Sequence, residues 1–321
     1  ARFLPKYLQK YLHKKITSYD DEEPAFAIML LSSCEVIESI YYALRTVLKE
    51  KALKYRYTVM NGRTHGQEAE LQTLGKRFLS WYADLELDFN NLMETKKRIR
   101  RSKLSGAIGN YVGISPELEE KTLRILGLEP YYGSTQIMPR ENYAPLAETL
   151  CQIVCTISKI GIAIRLGARS GRPIYQEPFG KKQKGSSTMP HKKNTIRTEQ
   201  LEGMARMAKG YLQMIMDNIE TWEERAIEQS CVERVAWPDL FHVVSRSLKV
   251  ITKVIEGLQV YPDNMLLEIL DSRGCYASSE AKEVLQELGF SRDNSYGIIQ
   301  LAAFNAFDVK KRRKNMRRYP P

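Results

Sequence analysis

LLSSCEVIESIYYALRTVL, residues 30–48, is the stretch that decides the fold class. Leu30, Cys34, Ile37, Tyr41, Leu44 and Leu48 recur at alternating spacings of four and three, which lines them up as one continuous apolar seam on a long α-helix. Just before it, Ile16-Thr17-Ser18-Tyr19-Asp20-Asp21 offers side-chain oxygens to the free N–H groups of a first turn, a strong helix start for which capping alone would be sufficient reason. After it, Thr58 to Gln67 carries β-branched residues, two glycines and His65, and reads as an extended or irregular crossing between helices. Helical periodicity returns over Leu71 to Ile99 and again near 144–170, 198–218 and 240–258, with no persuasive period-two strand and no βαβ alternation. The fold predicted is all-α, a bundle of long helices. Two loop regions interrupt it: Ser102 to Pro116, with Ser105, Gly106, Gly109 and Gly113, and Tyr131 to Pro139. Tyr261-Pro262-Asp263-Asn264 combines a proline turn with a fresh cap and marks a boundary.

A second stretch carries chemistry. Gly185-Ser186-Ser187-Thr188-Met189-Pro190-His191-Lys192-Lys193-Asn194 is too polar for a buried helix. Gly185 permits backbone angles that other residues resist, Pro190 stiffens the middle, and Lys192 with Asn194 offers a cation and an amide donor to an anion. By composition alone it is either an anion-binding loop with a hydroxyl or an ordinary solvated Gly-Ser loop with a basic end. A hydroxyl, a histidine and a Lys-Asn pair suit acyl transfer through an activated serine, or elimination beside a carboxylate. There is no G-x-S-x-G elbow and no acidic residue can be assigned to orient His65, so elimination fits better: it needs a base, an acid for the leaving nitrogen, and donors for charge building on a carboxylate.

In order, GSSTMPHKKN closely resembles the signature loop GSSxMPxKxN of the fumarase/aspartase superfamily. Thr17-Ser18-Tyr19-Asp20 is similar to its TSxD element, and Thr64-His65-Gly66-Gln67 to its THGQ element. TVMNGRTHGQEAE at Thr58 to Glu70, KLSGAIGNY at Lys103 to Tyr111 and STQIMPRENYA at Ser134 to Ala144 bring the resemblance nearest to the adenylosuccinate lyase family, over roughly His13 to the 260s. The resemblance implies a central long-helix domain over 17–262, a remnant of an N-terminal domain over 1–16, and a small C-terminal helical domain with a basic tail over 263–321. It also implies a homotetramer whose central helices form one shared bundle, with each active site drawn from three subunits.

Residue by residue, the resemblance makes Ser186 the general base and His65 the general acid. It makes Lys192, Asn194, Thr17, Ser18 and Thr64 ligands of the succinyl carboxylates, and Gln136 a substrate contact. Trp222-Glu223-Glu224-Arg225 and Ser230-Cys231-Val232-Glu233-Arg234 resemble the segment that grips the nucleotide, assigning Arg225, Ser230 and Arg234 to a phosphate that a guanidinium fork pairs well. His13 matches a histidine before TSxD and is a weaker candidate; His191 falls at a variable position, and His242 packs or caps. The activity implied is release of fumarate from adenylosuccinate and from the related succinyl-carboxamide imidazole nucleotide, without cofactor or metal.

Departures from the pattern run alongside. The family has most of a further helical domain before TSxD, with an Arg-Tyr phosphate contact and another histidine, and a longer C-terminal domain. His13-Lys14-Lys15 replaces HxG, Tyr19 a small residue, and Thr195 a proline; Glu223, Ala226 and Gln229 replace the common His, Asp and His. They leave open a non-catalytic homologue acting as a structural or regulatory partner, or a lyase for another succinyl adduct such as argininosuccinate.

Composition bounds the rest. A chain of 321 residues with 43% hydrophobic content can bury a large core. It has no apolar run of the ~20 residues a membrane span needs, and Ala1-Arg2-Phe3-Leu4-Pro5-Lys6 lacks a secretory core, so a cytoplasmic protein is expected. Cys34, Cys151, Cys155, Cys231 and Cys275 have no metal spacing and read as reduced core thiols. Much of the net charge of +11 lies in two runs, Lys96 to Lys103 and Lys310 to Arg318. Neither run has interleaved aromatics or a duplex-reading motif, so both read as solvated faces and nucleic acid is not the expected partner.

Overall fold

The computed structural model describes residues 3–180 and 182–318, with side chains up to residue 308. The basic run Lys310 to Arg318 therefore lies outside the described side chains. In chain order the helices are α1 (Lys6–Gln9), α2 (Ser18–Lys54), α3 (Leu74–Arg98), α4 (Pro116–Ile125), α5 (Ala144–Gly167), α6 (Ile196–Asp217), α7 (Glu228–Glu256), α8 (Pro262–Asp271), α9 (Ser278–Glu287) and α10 (Arg292–Arg318). The strands are β1 (Val59–Thr64), β2 (Gln67–Thr73), β3 (Arg101–Ser102), β4 (Glu129–Pro130), β5 (Tyr175–Gln176) and β6 (Gln259–Val260), paired as two-stranded sheets β1-β2, β3-β4 and β5-β6. The all-α class holds. Two compact units divide the chain: the first holds Ala1–Thr46, Ala83–Ala163 and Asn194–Glu256, the second Val47–Tyr82, Ile164–Lys193 and Gly257–Pro321.

In the first unit the seam does what its spacing demands. Leu30, Cys34, Ile37, Tyr41 and Leu44 are all buried, each apolar side chain stabilising by about 1.5–3 kcal/mol. Tyr41 stacks on Phe89 of α3 with ring centroids 4.4 Å apart, and its hydroxyl donates to Glu86 at 2.9 Å. α4, capped by Ser115 with Pro116 in its first turn, brings Leu123 against Ala27 of α2. α6 packs along α7, where the Tyr211 hydroxyl donates to Asp239 at 2.9 Å. Against the expectation that no stretch suits a membrane span, α2 and α5 are long and apolar enough, by length and composition alone, to cross one; 33% and 50% of the qualifying stretches are buried inside the structure.

In the second unit the segment expected to be extended or irregular belongs to a β-hairpin. Val59 pairs with Thr73 and Thr64 with Gln67, with a bulge between Asn61 and Arg63, so helix α3 begins at Leu74 rather than Leu71. The segment is thus extended, but its pattern predicts no paired strand, because β2, QEAELQT, has only Ala69 and Leu71 as apolar residues alternating with Glu68, Glu70 and Gln72, too short an alternation to mark a strand. His65 (φ 51°) and Gly66 (φ 76°) form the two-residue turn with both residues left-handed. Gly75 lets α3 approach the end of α2: a Cβ there would come within 2.5 Å of the Ala52 carbonyl and the Arg56 backbone. Phe78 fills the space beside it, 6.0 Å from the Tyr55 ring and 5.2 Å from Trp81.

Two further expectations are corrected. The run Lys96 to Lys103 is not one solvated face: Lys97, Arg98, Arg100 and Arg101 are exposed, but Lys96 is half-buried against Glu38 and Lys103 is fully buried. The cysteines are free, but only Cys34 and Cys151 are buried; Cys155 and Cys275 are half-buried and Cys231 is exposed. Burial pushes the Cys34 thiol up to about 12, leaving it an inert core group.

Candidate active site

The TSxD segment begins α2. Thr17 precedes the first helical residue, and its N–H donates to Asp20 Oδ2 at 2.8 Å, the carboxylate reaching back as in a capping box. Asp20 does more than cap. Its Oδ1 accepts from Ser105 N–H at 3.0 Å and Gly106 N–H at 3.2 Å, and sits 2.7 Å from Lys103 Nζ. Lys103 Nζ also donates to the carbonyls of Gly106 and Gln136, both at 3.0 Å. Gly109 allows the two loop regions to touch, since a Cβ there would strike the Ser134 carbonyl.

Gln136 is thereby fixed, and its side chain is spent on both ends. Nε2 donates to the Ala107 carbonyl at 2.9 Å and Oε1 accepts from Arg225 Nη1 at 2.8 Å. The Arg225 guanidinium lies 4.3 Å over the Tyr19 ring, a cation–π arrangement. The Tyr19 hydroxyl in turn accepts from Gln229 Nε2 at 3.4 Å. Arg225 Nε is buried without a hydrogen-bond partner among the described residues. Ser230 and Arg234, four apart on the first turns of α7, line a cavity of about 740 Å³ together with Tyr19, Glu23, Phe26 and Arg140. α7 begins at Glu228, well before the expected residue 240, so the second part of the grip is helical.

Beneath this surface Arg140 joins α2 to α7. Its guanidinium donates to Glu23 Oε1 at 2.6 Å, to the Met138 carbonyl at 2.7 Å, and in a two-pronged pair to Glu233 at 2.8 and 2.9 Å. Burial pulls its pKa down, but Glu23 and Glu233 more than offset that and hold it protonated. Burial raises Glu233 against the opposing pull of Arg140, and raises the Tyr143 hydroxyl, which donates to Glu23 at 2.9 Å, well above its usual range. Among the candidates of this unit, Thr17 and Ser18 are half-buried, while His13 is exposed and only 4.0 Å from Asp21.

The second unit presents its candidates differently. Thr64 and His65 stand exposed at the hairpin tip. In the loop, Ser186 Oγ accepts from the N–H groups of Thr188 at 3.3 Å and Met189 at 3.1 Å. Lys192 N–H closes the loop on the Met189 carbonyl at 3.0 Å. Gly185 serves close approach rather than a special backbone angle: it has no positive φ, and a Cβ would strike the Lys192 carbonyl. Ser187 to Lys193 are exposed, Lys192 among them, and Asn194, the first residue of the other unit's last segment, is half-buried.

A family model described as Lyase matches residues 4–210. Adenylosuccinate lyase from Synechocystis sp. is 35% identical over 301 residues, 94% of this chain and 70% of that protein. The enzyme from Thermotoga maritima is 34% identical over 302 residues, with the same coverages of 94% and 70%. The chain belongs to the adenylosuccinate lyase family. Its fold is that of the wider superfamily: a fumarate lyase from Mesorhizobium sp. superposes with a TM-score of 0.82 at 24% identity, over 94% of this chain and 68% of that one.

Adenylosuccinate lyase family membership makes the three quoted segments homologous stretches rather than chance matches. The residues that pattern reading passed over are those that hold them. Tyr19 appeared only as a departure from a small residue, Lys103 as one of several surface cations, and Glu23, Arg140 and Glu233 without any role. One signal was available: Asp20 and Lys103 are charged residues inside recognisable segments, and charge there is either exposed or paired.

Proposed function

We propose that the protein is a lyase that eliminates fumarate from adenylosuccinate, giving AMP, and from the related succinyl-carboxamide imidazole nucleotide. The observation that carries this reading is the Arg225 group. A guanidinium stacked on Tyr19, tied at Nη1 and unspent at buried Nε, stands in one unit with Ser230 and with Arg234, which has no ion pair among the described residues. Charge-assisted donors suit a phosphate dianion, Arg225 held in advance by Gln136 and Tyr19 and Arg234 exposed on α7.

In this reading Ser186 takes a proton from the β-carbon of the succinyl group. The two main-chain N–H groups already directed at Ser186 Oγ favour its alkoxide form. The electron pair of the broken C–H bond forms the C=C bond, the C–N bond breaks, and His65 gives its proton to the departing nitrogen. Lys192 and Asn194, with Thr17, Ser18 and Thr64, hold the carboxylates on which charge builds. Atoms and electrons balance without a metal or an organic cofactor.

Fumarate absorbance, followed with purified protein on adenylosuccinate, the imidazole nucleotide and argininosuccinate, tests the reading. Turnover of the nucleotides is expected; turnover of argininosuccinate alone, or of nothing, would sink it, the latter in favour of a non-catalytic partner. We further infer a homotetramer with sites shared between subunits, for which the exposed Met29, Val36 and Tyr42 on α2 supply apolar contact surface. A monomer by sedimentation at micromolar concentration would contradict it. A reducing, cytoplasmic setting accords with five free cysteines, and cell fractionation is the check.

A further inference from the structure

We propose that Lys103 and Asp20 are positioning residues of this site: a buried ammonium–carboxylate clasp that sets the Thr17-Ser18 turn and the Gln136-Arg225 pair in register. The proposal rests on the lyase reading above, because Thr17, Gln136 and Arg225 are its substrate contacts. Both side chains are 0% exposed, so neither can touch a ligand. Their polar contacts all lie inside the protein. The ammonium donates to Gly106 O and Gln136 O, both at 3.0 Å, and forms an ion pair with Asp20 Oδ1 at 2.7 Å. The carboxylate takes Thr17 N–H, Ser105 N–H and Gly106 N–H at 2.8, 3.0 and 3.2 Å. One ion pair thus joins the backbones of three segments far apart in sequence: the start of α2, the KLSGA loop and the STQ loop.

A buried ion pair is a poor way to add stability, since an apolar pair of similar volume often does as well or better. What an apolar pair cannot do is fix backbone atoms to within a few tenths of an ångström. Gln136 shows what depends on this. Its carbonyl is held by Lys103, its side chain receives Arg225, and Arg225 lies over Tyr19, the residue next to Asp20. If Gln136 shifts, the guanidinium loses its hydrogen-bonded partner; if the start of α2 shifts, it loses its aromatic platform. The clasp closes that circuit through groups that never meet substrate.

The test compares Asp20→Asn, Lys103→Met and the double variant Asp20→Leu/Lys103→Met for melting temperature, kcat, KM for adenylosuccinate, and Kd for AMP. Each single variant leaves a buried group uncompensated and melts lower. The double variant regains most of the melting temperature while its kcat/KM stays down by about a hundredfold, with at least about tenfold of that in KM and in Kd for AMP. A double variant that recovers both stability and kcat/KM overturns the proposal, because the pair would then be a stability element only. Should the double variant not fold, Asp20→Asn decides: AMP bound as tightly as by wild type defeats the clasp. Wild-type protein that neither turns over adenylosuccinate nor binds AMP defeats the lyase reading itself, and the positioning role with it, and is distinguished by its silence before any mutation.

Discussion

The surroundings of Gln136 and Arg225 in one unit and those of His65 and Ser186 in the other are made of similar short polar segments, yet they are built in opposite ways. In the first, Asp20, Glu23, Lys103 and Arg140 are buried and hydrogen-bonded, and Gln136 and Arg225, proposed to bind, stand on this framework. In the second, Thr64, His65 and Ser187 to Lys193 stand exposed, and the local order comes from a two-residue turn and from backbone contacts within one loop. Thr17, Gln136 and Arg225, proposed to bind, are pre-set from the interior; the residues proposed to react, and with them the proposed carboxylate ligands Thr64 and Lys192, are displayed on surface elements. A binding contact needs its geometry before the ligand arrives, while a base on a loop can acquire its final surroundings when substrate binds.

The largest effect should come from the displayed side. Ser186→Ala is expected to lower kcat by about 10²–10⁴-fold, the range of general acid–base catalysis, with Kd for AMP changed less than about threefold. Ser187→Ala, whose hydroxyl receives no comparable pair of amide donors among the described residues, should cost less than about tenfold. Steady-state kinetics beside calorimetric AMP titration separates the two. Equal losses at both serines, or a Ser186→Ala variant that loses AMP affinity as much as turnover, would break the division between binding and reacting halves.

How much of this was legible in sequence follows the same division. The bundle was, because Leu30 to Leu48 obeys a period that only a long helix satisfies, and so were the two loops around Gly109 and Gln136. The hairpin was not, since its second strand alternates only Ala69 and Leu71 with Glu68, Glu70 and Gln72, too short a pattern to stand out, and its turn uses His65 rather than Asn at the first left-handed position. The site's display groups were legible because they sit in contiguous motifs. Its supports were not: Asp20 and Lys103 lie far apart in the chain, and a charged residue carries no mark in sequence that says whether its partner is water or a buried ion.

Next in size are the arginines of the pre-set side. Arg225→Gln or Arg234→Gln removes a charge-assisted contact worth about 1.5–3 kcal/mol, so AMP should bind roughly ten- to a hundredfold more weakly, with fumarate binding nearly unchanged. The comparison sharpens further between the two. Arg225 is held by Gln136 and Tyr19, so its loss should also loosen Gln136, whereas Arg234 is exposed and should act on the phosphate alone. A Gln136→Ala change that weakens AMP binding in wild type but not in Arg225→Gln would express that coupling as non-additivity. Full additivity would mean the two groups work independently.

The smallest effect tests whether burial of charge in the first unit is itself the device, or only burial with a partner. Asp88 of α3 is the control: it is buried, and its Oδ2 has no hydrogen-bond partner among the described residues. Burial raises its pKa above the ordinary carboxylate value, against the opposing hydrogen bonds of Thr156 and Gln152 and the more distant Lys159. The sign follows from linkage. A folded-state pKa above the unfolded one means the folded protein holds the proton more tightly, so the contribution to stability is full below the unfolded pKa and is lost as pH rises through the folded one. Above its folded-state pKa the ionised Asp88 therefore costs stability. Asp88→Asn should raise the melting temperature at pH 7 by no more than about 2 °C in a chain of this length, and the gain should shrink toward zero on acidification as wild type itself takes up the proton. Thermal unfolding of the two proteins across that pH range measures it. A variant that melts lower than wild type at neutral pH, by a margin that does not change with pH, would mean that the Asp88 carboxylate has a structural task of its own, and that burial without an ionic partner is also tolerated on this side of the molecule.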